Sequence, residues 1–242
     1  MDEKAAAVNK RMTAMEFVTK WGILLTIGLM LIGFSVTMPT FRTISNMIVI
    51  LRAVCIVTIV ATGMTSALTV SGIDLSVGST ATLANTVNMT FLIWFSFGET
   101  VPGTLLAIFL SIMISLSVAA VNTILIVKLK IPDMLATLAT MFMFEGVAMT
   151  YAGGGAINQN MVRPDGTTAV GKVPQFLRTM GREPWIIVVM LSLALIAFLF
   201  LTYTKHGRYM YAVGTNSEAA RLSGINVNKY RALAYVFSAI LA

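Results

Sequence analysis

The sequence has one cysteine, Cys55, and one histidine, His206. A lone cysteine excludes a disulfide within the chain, and no Cys/His cluster exists to hold a metal ion. One histidine cannot supply the His-Glu-x-x-His arrangement of a metalloprotease, nor a buried base to activate a serine. Charge is also scarce. Asp, Glu, Lys and Arg make up 11% of the residues, where soluble domains carry about 25%. These shortages argue against an enzyme and against a water-facing fold, and no residue set calls for a cofactor.

Apolar residues are abundant instead, at 57%, with a mean hydropathy of +0.85. A soluble domain of this size has too little interior to hide so much apolar surface, so the solvent is lipid. Spanning helices need roughly 20 apolar residues, and several such runs occur. They are too long and too continuous for barrel strands of about 10 alternating residues. The class is all-α, a polytopic helical membrane protein. The net charge of +7 is assigned to loops beside the membrane rather than to nucleic acid.

Residues 1–20 form a polar N-terminal segment. Helices are expected over 21–36, 47–71, 75–95, 104–127, 132–152 and 185–203, giving a transmembrane domain of about six spans over 21–203. The first run resembles a secretory signal, but Thr37-Met38-Pro39 closes it without a small-x-small cleavage site, so it reads as an uncleaved helix. Phe97 to Gly103 is a tight loop, and 153–184 is a long polar segment rich in Gly, Pro and Asn. A second polar segment, 204–230, precedes an apolar run at 231–242. That run is too short to span, so it reads as the start of a truncated seventh helix and the chain as a fragment. With the N-terminus inside, eleven of the seventeen Lys and Arg residues fall on the inner side, among them Lys4, Lys10, Arg11, Lys128, Lys130, Lys205 and Arg231. This bias follows the positive-inside rule and puts residues 72–79 and 204–230 at the cytoplasmic face.

Residues 72–79 read Gly-Ile-Asp-Leu-Ser-Val-Gly-Ser. Gly72 permits a sharp turn, and Asp74 is placed to cap the third helix. Gly78 and Ser79 admit a close helix neighbour. The plain alternative is a well-capped helical hairpin; against it stands the cost of a carboxylate at a membrane edge. In the second polar segment, Glu218-Ala219-Ala220-Arg221-Leu222 favours a short helix. Asn216 or Ser217 offers its cap and Gly224 its stop. The plain alternative here is an amphipathic linker drawn to anionic lipid.

These segments resemble the permease subunits of ribose-type sugar ABC transporters. The similarity is carried by Gly72 to Ser79, with Gly72, Asp74, Ser76 and Gly78 as its signature turn, and by Gly207-Arg208-Tyr209 through Gly214, Asn216, Glu218, Ala219, Ala220, Ser223, Gly224 and Ile225. Asn122 before a basic break, Pro132, Ala136-Thr137-Leu138 and Gly153-Gly154-Gly155 add weaker support. Two departures stand out: Ser71 precedes Gly72 where the family often has a second glycine, and Thr123 follows Asn122 where it often has glycine. The resemblance implies a type II importer-like permease, seated in the cell membrane of a bacterium, that imports a monosaccharide. It further implies ATP-binding subunits docked on the 204–230 loop, an extracytoplasmic solute-binding protein, and a second permease chain. The rival reading is an ion-coupled carrier or channel, whose broken helices also carry polar groups at mid-depth.

Polar groups within the spans are the candidates for a solute path: Arg52, Asn85, Asn88, Asn122 and Glu145, with Thr137 and Thr140. Arg52 and Glu145 both fall toward outer ends and are expected to pair or to snorkel. Other features are discounted. Gly166 to Val173 nearly spells a phosphate loop, but Val173 stands where Ser or Thr is needed. Asn88-Met89-Thr90 is a glycosylation triplet inside a span, and His206 has no companion in sequence. Ser111, Ser115 and Ala119 form a small-residue packing seam, and the seventeen methionines are apolar filler.

Overall fold

A computed structural model describes residues 14–163 and 166–242. Lys4, Lys10 and Arg11 lie outside the described residues. The chain divides into two compact units, Met1–Leu51 and Arg52–Ala242.

The first unit holds α1 (Ala14–Thr37), a 3-10 turn at Pro39–Arg42 and the first turns of α2 (Ile44–Thr69). Asn46 donates to the Phe41 carbonyl at 3.0 Å, and the Phe34 and Phe41 rings pack 5.7 Å apart.

In the second unit α2 leads through the glycine-bearing octet into α3 (Val77–Met89), which continues as a π-helical turn over Thr90–Trp94. After a 3-10 turn at Phe97–Glu99, α4 (Val101–Thr123) begins with Thr100 capping the Gly103 N–H. The helix therefore starts earlier than the expected 104, because Pro102 is tolerated in a first turn. A π-helical turn, Ile124–Lys128, closes α4. Then come α5 (Asp133–Tyr151), the short α6 (Gln175–Met180), α7 (Trp185–Tyr203), α8 (Lys205–Thr215), α9 (Ser217–Leu222) and α10 (Val227–Leu241).

Among the described residues, five helices are long and apolar enough to cross a membrane: Val18–Thr37, Ile44–Thr69, Val101–Lys128, Asp133–Tyr151 and Trp185–Tyr203. The α3 stretch, expected as a span over 75–95, is not among them, being rich in Thr, Asn and Gly.

The centre of the second unit is α4. It packs on α3, α5 and α10, and its buried residues recur at spacings of three and four: Thr104, Ala107, Ser111, Ser115, Val118 and Asn122. Ser111, Ser115 and Ala119 are buried as a packing seam requires, and the Ser111 hydroxyl is spent on the Ala107 carbonyl at 2.8 Å. The helix expected from residue 231 starts at Val227, because Asn226 caps it through the Lys229 N–H at 3.0 Å.

Candidate functional site

The chain leaves α2 through Ser71, which adopts a left-handed backbone at φ +56°, and Gly72, whose N–H donates to the Ala67 carbonyl at 3.0 Å. Gly72 is buried against side chains from two other helices. A Cβ there would sit 2.7 Å from both the Asp133 carboxylate and the Tyr235 hydroxyl. Glycine is thus required for close approach.

Asp74 is 2% exposed. Its Oδ1 accepts from the Ser76 N–H at 3.0 Å and the Ser76 hydroxyl at 2.6 Å, and its Oδ2 accepts from the Ser238 hydroxyl at 2.8 Å. The expected cap of α3 is therefore corrected. Ser76 is the residue preceding the helix and makes no side-chain cap bond. Asp74, two residues before it, reaches only the Ser76 N–H, forming an Asx-type turn.

The network continues. Asn122 of α4 donates to the Ser76 hydroxyl at 2.8 Å and accepts from Thr140 of α5 at 2.7 Å. Thr137 donates to the Ile73 carbonyl at 3.1 Å. Four segments are thereby tied by side chains that have no access to water: the octet, α4, α5 and α10. Each unmade bond in such a place costs about 1–3 kcal/mol. Asn122, Thr137 and Thr140 are all buried in this network and do not face an open path.

Beside it lies a second cluster. Asp133, the first residue of α5, accepts from Arg231 through Oδ1 and from the Tyr235 hydroxyl through Oδ2 at 2.6 Å. Arg231 borders two hollows at this end of the molecule, of about 440 and 310 Å³. Sequence reasoning assigned no role to Asp133, Tyr235 or Ser238. The only signal was an acid at a helix start, which reads equally well as a complement to the helix dipole.

Residues 204–226 are two helices rather than a loop. Thr204 caps α8 through the Gly207 N–H at 3.1 Å, and Asn216, not Ser217, caps α9 through the Ala219 N–H at 2.9 Å. Ala220 is buried against α8 and α10, while Glu218 and Arg221 pair on the exposed side. Ser223 donates back to the Ala219 carbonyl, and Gly224 turns the chain away at φ +82°. Gly214 is a second enforced close approach: a Cβ there would meet the Thr69 carbonyl oxygen at 2.1 Å. The Ser71 hydroxyl donates to the Gly214 carbonyl at 2.8 Å, so α8 is joined directly to the residue that precedes the octet. His206 has a companion after all, its Nδ1 lying 3.4 Å from the Tyr230 hydroxyl.

At the other end of the unit, Arg52 is paired, but not with Glu145. It donates in bidentate fashion to Glu183 at 2.8 and 3.0 Å. Glu183 sits just before α7 and outbids Glu145, which takes part in no ion pair among the described residues. A main-chain hydrogen bond and then Arg52 hold the Glu183 carboxyl below its ordinary range. Gly78 is exposed with no atom within 4 Å of a would-be Cβ, so the close neighbour expected there is absent among the described residues; Ser79 is buried. Asn85 is exposed and borders a hollow of about 470 Å³ with Asn158 and Gln159. The side-chain amide oxygen Oδ1 of Asn88 is buried without a partner among the described residues. The Gly166–Val173 stretch packs along the 90–94 turn, the Gly171 N–H donating to the Ile93 carbonyl at 3.2 Å, so its backbone is engaged in packing.

Comparison with known proteins identifies a family and several relatives. Residues 46–242 match the family described as the branched-chain amino acid transport system permease component. The chain is similar to a ribose import permease of Escherichia coli, at 34% identity over 84% of this chain and 60% of that protein. It is also similar to one of Bacillus subtilis, at 30% over 99% of this chain and 71% of the other. A fructose import permease of Rhizobium meliloti is 29% identical over 90% of this chain and 59% of its own length. The chain thus spans about 60% of the length of the first of these relatives. No solved structure matches.

Proposed function

The chain belongs to the family of permease components typified by branched-chain amino acid transport systems, and from that membership we propose that it is the membrane-spanning subunit of an ATP-driven, binding-protein-dependent importer of a monosaccharide. Relatives named as ribose and fructose import permeases support the solute class. The observation that carries the reading is the folded 204–226 segment. A capped helix, α9, presents Glu218 and Arg221 outward while its Ala220 side is anchored on α8 and α10. An element that is rigid, exposed and tied to the octet suits reception of force from an ATP-binding subunit at the cytoplasmic face. A secondary carrier has no need of it.

Glycine at 214 and 72 keeps α8, the octet and α10 in close contact, so displacement of α9 passes to α4 and α5 through Arg231–Asp133 and Ser238–Asp74. A two-state rearrangement of rigid helices of this kind is a recognised means of alternating access. The chain supplies no bond-making chemistry; hydrolysis belongs to the partner. A second permease chain and an extracytoplasmic solute-binding protein complete the assembly.

Co-expression with the ATP-binding subunit tests the reading. The partner co-purifies with the native chain and is lost with Glu218→Lys or Gly224→Arg. Retention of the partner by both variants, or labelling of a cysteine at Ser217 only from outside intact cells, contradicts it.

A further inference from the structure

The lipid-spanning helices of this chain show large apolar side chains on their outer faces. On α7 these include Val188, Leu191, Leu195 and Phe198; on α5, Leu135, Phe142 and Val147; on α4, Leu105, Phe109 and Ile112. The helix α3 breaks the pattern. Between Leu68 and Phe95 no large hydrophobic residue is exposed, which holds for no other described helix of eight residues or more.

The open face of α3 carries instead Gly78, Thr82 and Asn85, at successive spacings of four and three that bring them onto one side. Gly78 and Asn85 are exposed and Thr82 half-buried. Thirteen α-helical residues and five in the π-turn rise about 27 Å at ~1.5 Å per residue, close to a hydrocarbon core of about 30 Å. Asn85 stands near the middle of that rise. An amide at this depth is costly against lipid tails and belongs against protein or water. The Asn85 face runs directly into the hollow of about 470 Å³ shared with Asn158 and Gln159, within the roughly 300–1,000 Å³ range of small-ligand sites. The hollow has no ionised side chain in its wall: Asn85, Asn158 and Gln159 supply amides, and Met89, Ile93, Ile157 and Val173 supply apolar surface.

We infer that the Gly78–Thr82–Asn85 face of α3 is the wall of a water-filled solute path and that Asn85 is a contact point for an uncharged, polyhydroxylated solute. Amides that both donate and accept match hydroxyl groups, which do the same, and the apolar residues match the C–H faces of a sugar ring. Asn122, Thr137 and Thr140 are excluded from this wall by their burial. The solute class rests on the importer reading above, whereas the wetness of the face does not.

Cysteine labelling in membranes tests it. Cys55 is 0% exposed and stays in place as a silent background. Thr82→Cys and Asn85→Cys are treated with a positively charged methanethiosulfonate, with Leu195→Cys on α7 as the lipid-facing control. Only a thiolate reacts, and a thiol in lipid stays protonated, so the α3 positions are expected to label at least about tenfold faster than the control. Blockage of sugar uptake by the Asn85 adduct, with the ATP-binding subunit still co-purifying, supports the contact role. Labelling as slow as at Leu195 overturns the path. Oxidative cross-linking of Asn85→Cys between two copies also overturns it, since a second chain then covers the face. Thr82→Cys guards against a folding defect peculiar to Asn85. Because labelling needs no ATP-binding subunit, loss of that partner contradicts the importer reading and leaves the wet path intact.

Discussion

The two ends of the second unit solve the same problem differently. At the octet end, polar side chains satisfy one another: Ser238, Asp74, Ser76, Asn122 and Thr140 form a chain of bonds with no water access. At the opposite end, side chains mostly reach for backbone. Arg163 donates to the Trp94 carbonyl and Gln159 to that of Gly171. The one ion pair there among the described residues, Arg52–Glu183, is about a third exposed on each side. The first arrangement fixes the relative positions of several helices, since removing any member leaves the others unpartnered. The second pins a loop to a helix end while water remains at hand to replace what is lost. A segment that transmits motion suits the first design, and a mouth that admits solute suits the second.

The sharpest test of this contrast is Asp74→Ala. It strands the Ser238 hydroxyl and both Ser76 donors, and it should lower stability by about 3 kcal/mol, read as denaturation of the purified protein in detergent. An effect no larger than that of Gln159→Ala at the other end would break the comparison. Next comes a pair of glycines within the octet. Gly72→Ala forces a methyl into Asp133 and Tyr235 and should cost about 1–3 kcal/mol. Gly78→Ala meets empty space and should stabilise the helix by up to about 1 kcal/mol. Equal effects at the two would deny that the octet has one packed and one open glycine. The smallest effect is expected at Glu183. Its carboxyl is held below the ordinary range, so the pair's contribution is present at neutral pH and above. It disappears as pH falls through that lowered value. Glu183→Gln should therefore remove a small increment of stability at neutral pH, leave stability below the lowered value unchanged, and so flatten the acid limb of the profile.

Local features were legible in the sequence and tertiary choices were not. The main apolar helices followed from the apolar runs, and α9 with its Gly224 stop followed from residue type, which left its cap open between Asn216 and Ser217 until the structure decided for Asn216. The start of α10 was missed by four residues because hydropathy marked Arg231, although Asn226 before Lys229 is itself a cap signal. The π-turns closing α3 and α4 have no pattern in composition. Arg52 was expected either to pair with Glu145 or to snorkel, because both fell toward one face of the membrane; Glu183, in a loop, gave no such hint. Asp74 was recognised as important but given a local job. Its decisive partner, Ser238, lies 164 residues away, and no spacing rule reaches so far. Asn85 and Asn122 were alike by type, and only burial separates the exposed Asn85 from the buried connector Asn122.

Ser71 shows how a departure from a family's usual glycine can act as a clasp. Holding an L-residue in left-handed backbone costs roughly 1–2 kcal/mol, and the hydroxyl that glycine would lack recovers part of this by gripping α8 at Gly214. Exchange for glycine relaxes the backbone and opens the grip together, so thermal resistance barely changes while the linkage slackens. Rigidity of the joint and durability of the fold can therefore be adjusted separately at this one position.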